Sequence, residues 1–179
     1  AMVRQVLDRF GAIDILVNSA GRNVLKSIVD HTVDDWDKVL NTNLRSCFLS
    51  CRAVGPHMIQ RRRGKIINIA STASVYGVPN FISYVASKAG LAGFTRALAT
   101  EWGPYGINVN AIAPSYTETD FTRNYLQSEE NVKEILVRTP LRRVAQPDDL
   151  IGAALYLASP ASDYVTGHTL FVDGGWTIA

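Results

Sequence analysis

The chain has 179 residues, of which 47% are hydrophobic and 19% are charged, and its formal net charge is only +2. A chain of this length and composition can bury a core, which excludes a disordered protein. The balanced charge argues against a nucleic-acid partner, and no apolar run reaches the ~18 residues of a membrane span. The opening AMVRQVLDRF is amphipathic rather than signal-like. We therefore expect a soluble, cytoplasmic protein that binds neither nucleic acid nor membrane.

Helical and strand patterns alternate along the chain. Helices are predicted over 2–10, 33–60, 83–102, 129–138 and 147–158. Short apolar runs typical of buried parallel strands occupy 13–18, 65–70, 107–113 and the HTLFVDGG stretch at 168–175. This alternation predicts the α/β fold class, with a doubly wound parallel sheet and right-handed crossovers.

Two helices carry recognisable terminal signals. Thr32, followed three residues later by Asp35, predicts an N-terminal cap for the helix over 33–60, and Gly64 marks its expected end. Pro147 and the two aspartates after it are typical of a helix start.

The cysteines and histidines predict no metal site. Cys47 and Cys51 lie one helical turn apart, a spacing that indicates two small buried side chains rather than a metal or redox pair. The histidines are scattered, at His31, His57 and His168.

Tyr84 and Lys88 form the strongest chemical signal. They are four residues apart in a predicted helix, so the phenol and the ammonium share one face. A nearby positive charge favours the phenolate and lowers the pKa of a tyrosine, which suits acid–base chemistry. Ser71 ends the preceding strand and could hydrogen-bond a substrate oxygen held against Tyr84. It lacks the Gly-x-Ser-x-Gly setting of a hydrolase nucleophile.

Small or hydroxylated residues follow three of the predicted strands. They are the NSAG turn at 18–21, Ser71, and the PSYTET segment at 114–119. The carboxyl ends of parallel strands form the usual ligand cleft of such sheets. The NSAG turn taken alone fits a simple tight turn equally well.

Five motifs together resemble the short-chain dehydrogenase/reductases. They are NSAG at 18–21, Asn43 in NTNLRS, Ser71, the YVASK run at 84–88, and DGG at 173–175. TPLRR at 139–143, followed by PDDL, and the DGGW ending most resemble the gluconate and deoxygluconate dehydrogenase branch. The 3-oxoacyl-carrier-protein reductases are neighbours of that branch.

The resemblance implies a hydride transfer between NAD or NADP and a secondary alcohol or ketone. Tyr84 would exchange the hydroxyl proton, and Ser71 would hold the substrate oxygen. Lys88 would also bind the nicotinamide ribose, and Asn43 would help to hold a water that links the lysine to solvent.

The same resemblance assigns the remaining cofactor contacts. Asn18, Ala20 and Gly21 match the turn that lines the adenosine side. Pro114 opens the segment in which the Thr117 backbone and the Thr119 hydroxyl would meet the carboxamide. Ser115 stands where the family usually has glycine, and Ser19 and Ala70 replace the commoner asparagine and serine; all are small, so the cleft should survive.

The family's opening strands and its glycine-rich Thr-Gly-x-x-x-Gly-x-Gly turn are not in these 179 residues. We therefore expect residues 1–179 to be a single partial Rossmann-like domain, the C-terminal portion of the fold. The strand over 13–18 should then be an apolar edge. The sequence is expected to be part of a longer protein, or a truncated form that oligomerises or has lost cofactor binding. The choice between NAD and NADP depends on residues outside this stretch.

Substrate and assembly are also implied by the resemblance. The segment over 120–146 corresponds to the family's substrate lid, and its arginines could meet the carboxylate of a sugar acid or form a solvated face. These arginines are Arg123, Arg138, Arg142 and Arg143. A 3-oxoacyl thioester is an alternative substrate, and a catalytically silent interaction module is an alternative function. Family members pair their long helices, so a homo-oligomer, either tetramer or dimer, is expected.

Overall fold

The computed structural model describes residues 2–179, in which helices and strands alternate as the sequence predicts. The strands are β1 Ile15–Asn18, β2 Gly64–Ile69, β3 Ile107–Pro114 and β4 Thr169–Val172. The helices are α1 Met2–Phe10, α2 Val33–Leu40, α3 Ser46–Arg61, α4 Ile82–Trp102, α5 Arg123–Leu126, α6 Glu129–Arg138 and α7 Ile151–Ala158. The short helix α5 was not predicted.

The strands form one parallel sheet in the order β1-β2-β3-β4. Val17 lies opposite Ile67, and Pro114 lies opposite Val172. Within residues 2–179, β1 pairs only with β2, and Ile15 and Val17 remain 44% and 50% exposed. The predicted α/β class and the apolar edge at β1 are therefore confirmed.

Helices cover both faces of the sheet. On one face, α3 and α4 pack on Ile66 and Val109, whereas on the other α7 packs on Ile67 and Ile112 through Leu157. Each strand lies on the same side of the strand before it, because the order in the sheet is β1-β2-β3-β4. Two crossovers that run over opposite faces of this sheet therefore have opposite handedness. The prediction that all crossovers are right-handed is therefore wrong, because the long segment after β3 carries the chain to the other face before it enters α7.

The predicted start of the second helix is confirmed and its predicted end is within one residue of the observed end, but Gly64 is not the residue that stops it. The Asp35 amide donates to the Thr32 hydroxyl, and the Thr32 amide donates to the Asp35 carboxylate, which together close a capping box. The helix then ends at Arg61, and Arg62 adopts a left-handed φ of 52°. Gly64 instead begins β2, where a Cβ would lie 2.5 Å from Met58 Sδ.

The buried cysteines agree with the sequence. Cys47 and Cys51 are free thiols that are 2% and 1% exposed. Within residues 2–179, no helix has both the length and the apolar character needed to cross a bilayer. No three His, Cys, Asp or Glu side chains of that range cluster in a way that could hold a metal ion.

Candidate active site

The three residues predicted to carry the chemistry meet at the carboxyl end of the sheet. Tyr84 lies in the first turn of α4, and Lys88 follows one turn later, with its Nζ 5.7 Å from the centroid of the Tyr84 ring. Ser71 follows β2 and caps a short 3-10 turn, where its hydroxyl accepts from the Ala73 amide. The Ser71 hydroxyl also lies close enough to the phenol of Tyr84 to influence its pKa by hydrogen bonding.

Burial raises the pKa of Tyr84, and the hydrogen bond from Ser71 only partly opposes this effect. The expectation that Lys88 lowers the pKa of the phenol is wrong for this structure. Burial is the largest influence on this pKa and disfavours the phenolate, while the Lys88 ammonium donates to the Ile69 carbonyl at 2.6 Å. Tyr84 is therefore a neutral phenol near neutral pH, which is the form that donates a proton.

Lys88 is a buried cation held at a fixed place. Lys88 is only 3% exposed, and burial lowers the pKa of its ammonium to about 8. The charged form therefore still predominates near neutral pH. The NSAG turn passes directly over it, because a Cβ placed on Gly21 would lie 3.7 Å from Lys88 Nζ. The structure thus brings Gly21, which the resemblance assigned to the adenosine side, next to the Lys88 ammonium.

Asn43 lies in a π-helical turn, Asn41–Arg45, between α2 and α3. Its side chain is fully buried and holds the backbone of Arg22, accepting from the amide at 2.8 Å and donating to the carbonyl at 2.9 Å. It also donates to the hydroxyl of Ser87, which in turn donates to the Tyr84 carbonyl at 2.7 Å. Sequence reasoning missed Ser87, although its place inside the YVASK run is a usable signal.

The side chain of Asn18 points into the protein interior. It donates to Asn68 at 2.8 Å and accepts from Ser50 at 2.6 Å, and Asn68 donates onward to Thr95 of α4. This buried network joins two strands to two helices. Any ligand contact in this turn therefore falls to the exposed residues after Asn18, which include Ala20.

The segment after β3 folds back beside Tyr84. Pro114 ends β3, Thr117 is 7% exposed, and its carbonyl accepts a hydrogen bond from the Thr122 hydroxyl. The Thr119 hydroxyl is exposed and bonds the same hydroxyl at 3.2 Å. Two residues later the ring of Phe121 packs 6.0 Å from the ring of Tyr84.

A cavity of 460 Å³ lies next to this segment and is rich in aromatic side chains. Tyr116 stacks on Tyr125 at 5.2 Å and meets Trp176 edge-on at 5.4 Å. Phe81, also in the cavity wall, packs edge-on against Tyr84 at 6.1 Å. The cavity therefore adjoins Tyr84. These aromatic residues were not predicted, apart from the Gly-Trp pair that marked the branch.

The four lid arginines separate into different roles. Arg123 pairs with Asp120 at the surface, Arg142 donates to the last carbonyls of α6, and Arg143 forms two hydrogen bonds to Asp149. Arg138 alone of the four lines the cavity.

Another cavity, of 640 Å³, lies at the amino ends of the strands, opposite the Tyr84 site, and is lined in part by Asp14, Gly64 and Ile107. These residues precede or begin their strands, whereas open parallel sheets bind ligands at the other ends. The larger volume therefore does not mark the active site.

Comparisons with known proteins find similar dehydrogenases and reductases. The family described as enoyl-(acyl carrier protein) reductase matches residues 1–177. The chain is 46% identical over 177 residues to 2-dehydro-3-deoxy-D-gluconate 5-dehydrogenase of Escherichia coli, covering 98% of this chain and 70% of that protein. It is 40% identical over 177 residues to a 3-oxoacyl-[acyl-carrier-protein] reductase of Thermotoga maritima, covering 99% of this chain and 71% of that protein.

A crystal structure of a gluconate 5-dehydrogenase from Burkholderia cenocepacia, in complex with NADP and tartrate, superposes with a TM-score of 0.97 at 42% identity. The match covers 99% of this chain and 69% of that one. The chain thus spans about 70% of the length of the proteins it matches.

Proposed function

The chain belongs to the short-chain dehydrogenase/reductase family, and on that premise we propose an NAD(P)-dependent dehydrogenase that interconverts a secondary alcohol and a ketone on a sugar acid. The observation that carries the proposal is the meeting of Ser71, Tyr84 and Lys88 at the carboxyl end of the sheet. A phenol kept neutral by burial, with a hydroxyl and a buried ammonium beside it, is suited to proton transfer.

In the direction of reduction, the Tyr84 phenol donates its proton to the carbonyl oxygen as that oxygen gains charge. Ser71 donates a hydrogen bond to the same oxygen and holds it against the phenol. In oxidation the proton returns from the alcohol to Tyr84. NAD(P), when bound, supplies or accepts the hydride at the carbon.

The residues around Lys88 fit the nicotinamide end of this cofactor. Gly21 leaves room above the ammonium because it has no side chain, and Lys88 would donate to the ribose hydroxyls. Ala20 lies beside Gly21 on the exposed turn and would line the adenosine side, as the resemblance implies, whereas Asn18 would act by fixing that turn from inside. The segment formed by Pro114, Thr117 and Thr119 would meet the carboxamide.

Two substrate classes have support among the relatives. The sugar acid is favoured by the names of the gluconate-type dehydrogenases and by the tartrate in the structural neighbour, since tartrate is itself a hydroxy acid. The 3-oxoacyl thioester is supported by the reductase at 40% identity. The phenols of Tyr76, Tyr116 and Tyr125 favour the sugar acid, because each can hydrogen-bond a hydroxyl.

We also propose that residues 1–179 form one partial domain and that the protein is a cytoplasmic homo-oligomer, either a tetramer or a dimer. Large apolar side chains remain exposed on two helices, with Phe48 and Leu49 on α3 and Ile151 and Leu155 on α7. Their burial against a second copy would remove them from water.

The proposal is tested by following oxidation of NADPH and NADH in the presence of 5-dehydro-D-gluconate or acetoacetyl-CoA. We expect turnover with the sugar acid to exceed turnover with the thioester. Faster turnover of the thioester would favour the second substrate class. Absence of turnover with every pair would instead favour the catalytically silent interaction module.

A further inference from the structure

Within the described residues 2–179, one cation in the wall of the cavity beside Tyr84 has no anionic partner. We propose that this residue, Arg138, binds the carboxylate of the substrate and so makes the enzyme selective for acids. This inference rests on the proposed function, because it concerns the substrate of the same site. It concerns a single arginine of the four in the lid segment.

Arg138 is positioned by aromatic rings rather than by an acid. It is the last residue of α6, and its guanidinium lies 4.9 Å from the centroid of Tyr76 and 4.5 Å from that of Trp176. Within residues 2–179 it makes no ion pair. Stacking on rings holds a guanidinium in one plane and leaves its N–H groups free for a carboxylate.

Trp176 provides an independent observation. Trp176 is only 4% exposed, and its indole Nε1–H is buried without an acceptor anywhere in residues 2–179. A buried donor left without an acceptor costs roughly 1–3 kcal/mol, so such groups usually have a partner. Trp176 and the exposed Arg138 both line this cavity, and an anion with several lone pairs is the ligand that complements the guanidinium.

The turn that carries Trp176 is built to keep it in place. The Asp173 carboxylate accepts from the amides of Gly175 and Thr177 at 3.0 and 2.9 Å. Gly175 has a φ of +89°, and a Cβ there would lie 2.7 Å from Pro140 Cγ, so the turn fits tightly against the end of the lid. The Asp173 turn thus fixes the position of Trp176, whose ring contacts the Arg138 guanidinium.

Glu134 acts against an anion in this cavity. It lies one helical turn before Arg138 in the same wall and does not pair with it. Since like charges repel, Glu134 weakens binding of a carboxylate, and its neutral variant should bind acids more tightly.

The test compares D-gluconate with D-gluconamide, which has the same hydroxyl groups but no charge. Each is titrated calorimetrically into the complete protein, with and without saturating NADPH, which cannot react with either ligand. We expect Arg138→Met to weaken gluconate binding about 10- to 100-fold and to leave gluconamide binding nearly unchanged. Arg138→Lys should fall between, and Glu134→Gln should bind gluconate a few-fold more tightly.

Arg123→Met is the matched control, because Arg123 lies in the same segment but pairs with Asp120 at the surface. It should bind both ligands as the parent does. Equal loss of both ligands in Arg138→Met, no loss of gluconate, or no gluconate binding by the parent would each overturn the assignment.

The outcomes also separate this inference from the proposed function. Charge-selective binding without any turnover would keep the anion site and reject the dehydrogenase activity. Turnover whose preference for acids is unchanged in Arg138→Met would keep the activity and reject the anion site.

Discussion

The catalytic wall and the lid segment of this protein are built in opposite ways. The catalytic wall, formed by Asn43, Ser71, Tyr84, Ser87 and Lys88, lies on or beside regular elements, and hydrogen bonds connect its buried polar groups. The lid segment, residues 120–146, has short helices, exposed side chains and a cation whose contacts are aromatic rings. If the proposed roles hold, proton transfer is preorganised by the fold, whereas substrate choice is carried by a separate and more open part.

This difference has a thermodynamic side. Burying the Lys88 ammonium disfavours the folded state at neutral pH, and its bond to the Ile69 carbonyl offsets only part of that cost. The lid contains no comparable buried charge, since its charged pairs Arg123–Asp120 and Arg143–Asp149 lie at the surface. Substitutions of Ser87 and Lys88, whose buried side chains are hydrogen-bonded in the wall, should therefore affect stability, while substitutions in the lid should affect recognition.

The largest expected effect is the loss of chemistry in the wall. Tyr84→Phe should lower kcat by about 10³-fold, because removal of a general acid typically costs 10²–10⁴-fold. Binding of NAD(P)H and the unfolding midpoint should change little. Steady-state kinetics and cofactor titration on the same sample measure this.

Tyr164→Phe, which alters a fully exposed phenol, is the control for Tyr84→Phe. Retained turnover in Tyr84→Phe would remove the tyrosine from the proton-transfer role and leave the wall without its donor.

The second effect concerns the pH dependence of stability. The pKa of Lys88 is about 8 in the folded protein and near 10.5 for a free lysine, so between these values the unfolded chain binds more protons. Raising the pH through this window therefore stabilises the folded parent. Relative to Lys88→Met, the parent should gain about 2 kcal/mol between neutral pH and pH ~10.

Chemical denaturation of both proteins across this pH range measures the gain, and the other titrating groups cancel in the comparison. A difference between parent and variant that stays constant with pH would show that Lys88 titrates normally.

The smallest effect is expected from the link between wall elements. Ser87→Ala removes the hydroxyl that accepts from Asn43 and donates to the Tyr84 carbonyl, so it should destabilise the protein by about 1–2 kcal/mol. Thr100→Ala on the same helix removes an exposed hydroxyl that bonds only its own helix, and it should be nearly neutral. Urea denaturation compares them, and equal midpoints would mean that the link contributes nothing.

The wall could be predicted largely from sequence because its signals are local. Tyr84 and Lys88 share a helix face by their spacing, and Thr32 with Asp35 predicts a cap that the structure confirms. Local patterns also predicted the four strands and their parallel arrangement. The site roles assigned to these residues remain predictions.

The lid could not be predicted in the same way. Tyr76, Arg138 and Trp176 come from three distant parts of the chain and meet only after the sheet and the Asp173 turn have formed. The direction of the Tyr84 pKa was missed for a related reason, since burial depends on packing that spacing does not reveal. The handedness of the crossover between β3 and β4 likewise depends on the path of the whole segment after β3, which local patterns do not reveal.

The separation of chemistry from recognition is tested most directly by one ratio. It is kcat/KM for oxidation of D-gluconate divided by that for D-gluconamide, measured in the parent, Ser71→Ala and Arg138→Met. Ser71→Ala should lower both values by about 10²-fold and leave the ratio unchanged, because in its proposed role Ser71 holds an oxygen common to both substrates. Arg138→Met should lower the ratio by about 10-fold or more. A ratio that changes equally in both variants would show that the wall and the lid act as one unit.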